Sequence, residues 1–341
     1  NVGRKMPDRV EVARKAEEGA HSFVGGLAPQ PGDYVFKKRR ANGFEGTDLD
    51  LSLLTSNGLA VQFELLSNNT VLRAFTSEGT VFTATLSDAD AGSYAFVLER
   101  TLDHPAGGSE NELRFTFDFT ARDSDGDPTS DTFEVRVLDD VLVQGAAANS
   151  SVEEDNLPAG NIDDGYAGDI AGSATTSGGT LGVAWGADND LRGESAADAF
   201  GRSVNFVRAS GSTTLLSAGA VTAAQLGLGS LASDGEALSY QIVQTMSGVG
   251  GSWNGGYQLI ASTSAGTVFT VTLDPTTTNG SYSFELLGNL DHPTANTEDN
   301  RNLTFGFRAT DADGDTGSRA TFVVTGDDDA PVNGSPASGS V

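Results

Sequence analysis

Two short stretches of this chain could do chemistry, and they carry nearly the same text. Asp123-Ser124-Asp125-Gly126-Asp127 and Asp311-Ala312-Asp313-Gly314-Asp315 each place carboxylates at i, i+2 and i+4, with a glycine between the last two. Three carboxylates that close repel one another unless a cation sits among them. A hard, oxygen-binding cation, Ca²⁺, is the expected occupant. The glycine falls at position 4 of the loop and the flanks are not helical, so this is not an EF-hand. The bland alternative is an Asx-turn cluster that caps a hairpin. Recurrence of all three acids in both copies favours the cation, because capping needs only one or two.

Other acids are gathered where segments meet. Asp139-Asp140 and Asp327-Asp328-Asp329 each follow a last strand, and Glu153-Glu154-Asp155 opens the segment between the copies. Asp139, Asp140, Asp328 and Asp329 are read as candidate Ca²⁺ ligands at junctions, a solvated charge run being the equal alternative. Leu102-Asp103-His104-Pro105 returns as Leu290-Asp291-His292-Pro293. Asp103 and Asp291 are expected to lend an oxygen to a metal or to a backbone turn, with His104 and His292 packing or hydrogen-bonding locally. An active site is rarely copied into each scaffold repeat.

The elements that position these residues alternate with period two. Leu113, Phe115, Phe117 and Phe119 fall on one face of a strand that runs directly into the first aspartate loop. Ala60–Leu65, Thr70–Phe75, Thr80–Leu86, Tyr94–Leu98 and Thr132–Leu138 read as further strands, separated by turn signals such as Ser56-Asn57-Gly58. Short strands at this spacing predict an antiparallel sandwich. The text then repeats: Gly79-Thr80-Val81-Phe82-Thr83 becomes Gly266-Thr267-Val268-Phe269-Thr270 at an offset of 187, and the histidine and aspartate motifs recur at 188. The slip of one residue lies in the turn before Gly92, where an insertion costs least. A repeat of this length is tandem-domain architecture.

The expected fold class is therefore all-β, with tandem antiparallel immunoglobulin- or cadherin-like sandwiches and an atypical N-terminal segment. The expected division is an arm over 1–44, a first repeat over 45–141, an acidic linker over 142–159, a second repeat over 160–331 with a split near 215–232, and a tail over 332–341. Asp8-Arg9-Val10-Glu11 has capping-box spacing and predicts a short helix through Val12, Ala13 and Ala16. Strands are expected around Leu181–Trp185 and Ser203–Val207, with a helical turn at Val221–Leu226.

Composition sets the limits. With 47 acidic against 20 basic residues the net charge is −27, which disfavours nucleic acid and anionic membranes as partners. The basic run Lys37-Lys38-Arg39-Arg40 stands apart from that trend and could meet an acidic neighbouring copy. Cysteine is absent, and no apolar run is long enough to insert in a membrane. With three histidines, no HExxH and no GxSxG, an enzyme is not expected.

Together, Gly-Thr-Val-Phe-Thr-x-Thr-Leu, Gly-Ser-Tyr-x-Phe, Leu-Asp-His-Pro and the Phe-x-Ala/Thr-x-Asp-x-Asp-Gly-Asp loops closing in Asp-Asp resemble the tandem repeats of bacterial giant repeats-in-toxin (RTX) adhesins. Glu153-Glu154-Asp155-Asn156-Leu157-Pro158 is similar to the acidic opening of such a repeat. The resemblance spans roughly residues 50–335 and leaves out the N-terminal arm and the family's Gly-Gly-x-Gly-x-Asp array. It implies a secreted, type I-exported, calcium-rigidified rod of VCBS type at the bacterial surface, acting in adhesion or biofilm. Its implied partners are neighbouring repeats, other copies of itself, or a glycan, host or abiotic surface. Two other readings stay open: a self-assembling filament, sheath or surface-layer subunit, and a carbohydrate-binding module that uses Trp185 or Trp253.

Overall fold

The computed structural model describes residues 10–13, 40–47, 54–89, 92–104, 110–158, 160, 174–191, 201–209, 211–246, 252–294 and 299–329. The chain is all-β and divides into two compact units, Asn1–Asp140 and Val141–Val341.

The first unit contains β1 (Val10–Ala13), β2 (Arg40–Thr47), β3 (Gln62–Leu66), β4 (Val71–Thr76), β5 (Gly79–Ser87), β6 (Ser93–Leu98), β7 (Glu112–Arg122) and β8 (Pro128–Leu138). β3 to β6 form a meander, and the other sheet has the order β1-β8-β7-β2. Alternation decides which face is buried: Leu72, Ala74 and Thr76 of β4, and Phe133, Val135 and Val137 of β8, point inward. The two inner faces meet in one core, where Phe82 stacks on Phe115 at 5.5 Å between ring centroids and Tyr94 stacks on Phe133 at 3.9 Å. Each buried phenylalanine contributes about 1.5–3 kcal/mol relative to exposure.

The second unit repeats this plan and enlarges it. Its strands are β9 (Ser150–Glu153), β10 (Thr176–Thr180), β11 (Ser203–Phe206), β12 (Gly219–Val221), β13 (Ser239–Met246), β14 (Trp253–Thr263), β15 (Gly266–Asp274), β16 (Ser281–Leu286), β17 (Arg301–Thr310) and β18 (Ala320–Asp327). One sheet has the order β9-β18-β17-β11 and the other β10-β16-β15-β14-β13-β12. The core keeps its aromatic pattern. Phe305 faces Phe322 across β17 and β18 as Phe117 faces Phe133 across β7 and β8, and Tyr282 stacks on Phe322 at 3.8 Å. Leu303 stands where the first unit has Phe115.

The observed boundaries differ from the expected ones in three places. Val10–Ala13 is a strand on the edge of β8, not a helix, and residues 40–47 pair with β7, so described parts of the arm belong to the first sandwich. The Val-Glu-Val-Ala run already alternates, and an open sheet edge satisfies its backbone better than one helical turn can. The remainder of residues 1–39 lies outside the described residues, including the basic run up to Arg39. The stretch expected as a linker holds β9, which runs parallel to β18 and completes the second unit's sheet. Residues expected to split near 215–232 share one core with the rest: Leu216, Leu226, Leu228 and Leu231 are all buried in it. There a single helical turn, α1 (Ala223–Leu226), is closed by a capping box between Thr222 and Gln225.

Candidate metal loops

Each triple-aspartate loop closes the hairpin between the two long strands of its sheet, β7–β8 or β17–β18. In the first, Asp123 N–H donates to the Asp127 carbonyl at 3.2 Å. Its Oδ1 accepts the N–H groups of Asp125, Gly126 and Asp127 at 3.2, 3.0 and 2.9 Å. Gly126 sits at φ +102°, a conformation a side chain resists, which explains the glycine. In the second, Asp311 N–H donates to the Asp315 carbonyl at 3.0 Å, its Oδ1 accepts from Gly314 and Asp315 at 3.2 and 2.7 Å, and Gly314 lies at φ +110°. The leading aspartate is thus an Asx-turn anchor in both copies. That use occupies one oxygen and leaves the others to converge.

Among the described residues all three carboxylates converge in the first loop only; Asp311, Asp313 and Asp315 do not come together as one such group. Asp123, Asp125 and Asp127 are exposed and each offers a carboxylate oxygen within 4.8 Å of the others. Ca–O distances of about 2.3–2.6 Å put oxygens on opposite sides of one ion about 5 Å apart, so the donor set fits a Ca²⁺ ion that keeps several waters. The Asp123 and Asp125 carboxyls hydrogen-bond to each other, which holds Asp123 below the usual carboxylate range and, with the charge of Asp123, raises Asp125.

The second loop is partly buried, with Gly314 exposed and Asp313 half-buried. Asp311 and Asp315 are buried, and Leu142 N–H donates to Asp311 Oδ2 at 3.3 Å. Burial first, and then the hydrogen bond and repulsion of Asp313, push Asp311 up to about 9. A buried carboxylate with no cation nearby keeps its proton.

The other predicted ligands fall into two groups. Asp103 and Asp291 take the turn role. Asp103 accepts Asn57 and Gly58 N–H at 2.7 and 2.8 Å, and Asp291 accepts Gly235 N–H at 2.9 Å. Asn57–Gly58 and Asp234–Gly235 have positive φ throughout, so each carboxylate pins a tight primed turn from outside. The junction acids sit at strand ends. Asp139 is buried after β8, takes the N–H of Asp140 on Oδ1 at 2.9 Å, and lies 3.4 Å from His104 Nδ1. Asp328 and Asp329 follow β18, and Asp328 closes on Glu154 and His292. Burial raises Glu154 and Asp328. Burial pulls His292 down, but Glu154 first, with Asp328 and Asp299, together outweigh it, so the net shift is upward.

Glu154 and His292 were not among the predicted ligands. Parallel pairing of β9 with β18 brings Glu154 to that end of the sheet; the signal in the sequence was the acidic run beginning at Glu153. Trp185 is buried 4.9 Å beneath the Arg202 guanidinium, so it offers no face to a sugar. Trp253 is partly buried, donates its indole N–H to the Gly256 carbonyl at 2.7 Å and packs edge-on to Tyr257. Among the described residues no helix is long and apolar enough to cross a membrane.

Comparison with family models, curated proteins and solved structures gives no match.

Proposed function

We propose that this chain is a non-enzymatic, calcium-stabilised extracellular repeat protein, a spacer in a bacterial cell-surface adhesin. One observation carries the reading: two sandwiches built on the same strand plan present the same triple-aspartate loop at the same hairpin, on an otherwise strongly acidic chain. A duplicated scaffold with duplicated acid loops suits a part whose job is to hold shape at a surface. Asp123, Asp125 and Asp127 would hold one ion; for Asp311, Asp313 and Asp315 to hold a second, their carboxylates would have to draw together around it. Bound Ca²⁺ neutralises carboxylates that otherwise repel, so it stabilises the folded state by linkage.

The test is differential scanning calorimetry of the chain in excess chelator and in millimolar Ca²⁺. At a free concentration 100 times Kd, one ion raises stability by about 2.7 kcal/mol. Ca²⁺ should therefore raise the midpoint by several degrees, and Asp123→Asn with Asp125→Asn should abolish part of the rise. Identical melting curves with and without Ca²⁺ would overturn the reading.

A further inference from the structure

The second unit contains a buried histidine with no role in the calcium reading. The His292 side chain is 2 % exposed, and neither ring nitrogen has a hydrogen-bond partner among the described residues. Its Nε2 lies 3.4 Å from Glu154 Oε1, close enough for attraction but off the line of a hydrogen bond. Its Nδ1 is 3.9 Å from Asp299 Oδ2. Glu154 is itself 2 % exposed and accepts the Leu290 N–H at 2.7 Å, which fixes the carboxylate in place. Asp328 completes the group, with one ligand atom from each of the three residues within 4.8 Å of the others.

We propose that Glu154, His292 and Asp328 form a binding site for a d-block divalent cation of the zinc class, separate from the aspartate loops. Three features point to that ion. An imidazole is a poor ligand for Ca²⁺, which takes oxygen, and a good one for Zn²⁺. With metal–ligand bonds of about 2.1 Å, neighbouring ligands of a tetrahedral ion lie about 3.4 Å apart, the spacing found between Nε2 and Glu154 Oε1. Asp299 stands at the other ring nitrogen, where a metal-bound imidazole directs its remaining N–H to a carboxylate. Two carboxylates and one imidazole leave the fourth position to water or another donor. Buried acids surround the group: Glu153 and Asp327 face each other across the β9–β18 pairing, and Asp155 follows Glu154.

The duplicated histidine supplies an internal control. His104 Nδ1 and Nε2 face the carbonyl oxygens of Leu102 and Val137 at 2.8 and 3.3 Å, so backbone groups occupy the ring that His292 leaves open. Both histidines have a carboxylate at 3.4 Å, Asp139 for His104 and Glu154 for His292, but only His104 also has both ring nitrogens against backbone carbonyls.

The experiment is calorimetric titration of the full chain with Zn²⁺ alone, in saturating Ca²⁺ so that the aspartate loops are filled. One tight equivalent is expected. His292→Gln should weaken it by at least about 10- to 100-fold, and His104→Gln should leave it unchanged. Co²⁺ added to the unmodified chain gives a readout that needs no variant: tetrahedral coordination with nitrogen and oxygen donors produces intense visible absorption, and Zn²⁺ should erase it. Absence of any Zn²⁺ equivalent on the unmodified chain would overturn the site and identify His292 as an imidazolium paired with Glu154. Zn²⁺ binding unaltered in His292→Gln would overturn it too. Because Ca²⁺ is present throughout, failure here is distinguishable from failure of the calcium reading, which the chelator melts address.

Discussion

The two units use one text under different degrees of burial, and their polar sites diverge accordingly. In the first, the aspartate loop is open to water, contact between the carboxyls lowers Asp123 and raises Asp125, and the histidine lies against backbone carbonyls as well as Asp139. In the second, Asp311 and Asp315 are buried, Asp311 is pushed up to about 9, and the histidine faces acids with no hydrogen bond to a carbonyl among the described residues. The apolar frame barely changes between them: Tyr94–Phe133 and Tyr282–Phe322 stack at 3.9 and 3.8 Å. Both the packing frame and the charged motifs recur, and what differs is the burial around the charges. Apolar contacts depend on shape, whereas the character of a carboxylate depends on how much water reaches it.

The largest effect should come from the shared frame. Phe322→Ala and Phe133→Ala each remove a buried ring that stacks on a tyrosine, and each should cost about 3–5 kcal/mol in urea denaturation. Equal losses would affirm a common frame. A loss under about 1 kcal/mol in either unit would show that its stack is not load-carrying in the energetic sense of core truncations.

The next effect separates the units by pH. A carboxyl whose folded pKa is raised binds its proton in the folded state while the unfolded chain has lost it. Its contribution to stability is therefore full below the unfolded value and falls as pH rises toward about 9. In chelator, unfolding of the second unit should grow easier between pH 5 and 8, with a slope of at most about 1.4 kcal/mol per pH unit from Asp311. Asp311→Asn should flatten that slope. In the first unit Asp123 and Asp125 shift in opposite directions at the surface, so its slope should be shallow. Denaturation midpoints at several pH values, followed separately for each unit, decide this; a slope of the opposite sign in the second unit would refute it.

The smallest effect concerns the turn anchors. Asp103 accepts two backbone N–H groups and Asp291 accepts one. Hydrogen bonds to a charged group contribute about 1.5–3 kcal/mol at best and less when exposed. Asp103→Ala should therefore destabilise its unit by about 1–3 kcal/mol and Asp291→Ala by roughly half as much. Equal losses would mean that the second N–H bond adds nothing.

Much of the frame was legible in the sequence because its signals are local. The Leu113–Phe119 alternation is a strand, Asn57-Gly58 is a tight turn, and the capping pair Thr222 and Gln225 is the one short α-helix among the described residues. The repeat also placed both aspartate loops on equivalent hairpins. What escaped depends on pairing across long separations. No local property of Ser150–Glu153 announces that it will lie parallel to a strand beginning at Ala320, and so nothing announced that Glu154 would meet His292. The burial that lifts Asp311 and leaves Asp123 in water is likewise a property of the surrounding fold, since the two loops read almost alike.

The pairing of β9 with β18 has one more consequence, for a chain under tension. In the first unit the register sets Val10 beside Val137, so the start of β1 lies next to the end of β8. Pulling those two ends apart opens the ladder one rung at a time, like a zip. In the second unit β9 and β18 run the same way, with Ser150 beside Val324 and Glu153 beside Asp327. Pulling the start of one against the end of the other slides the strands lengthwise and loads every rung together. Single-molecule stretching should find that the second unit yields at the higher force, leaving the first as the link that gives way and extends before its neighbour is put at risk.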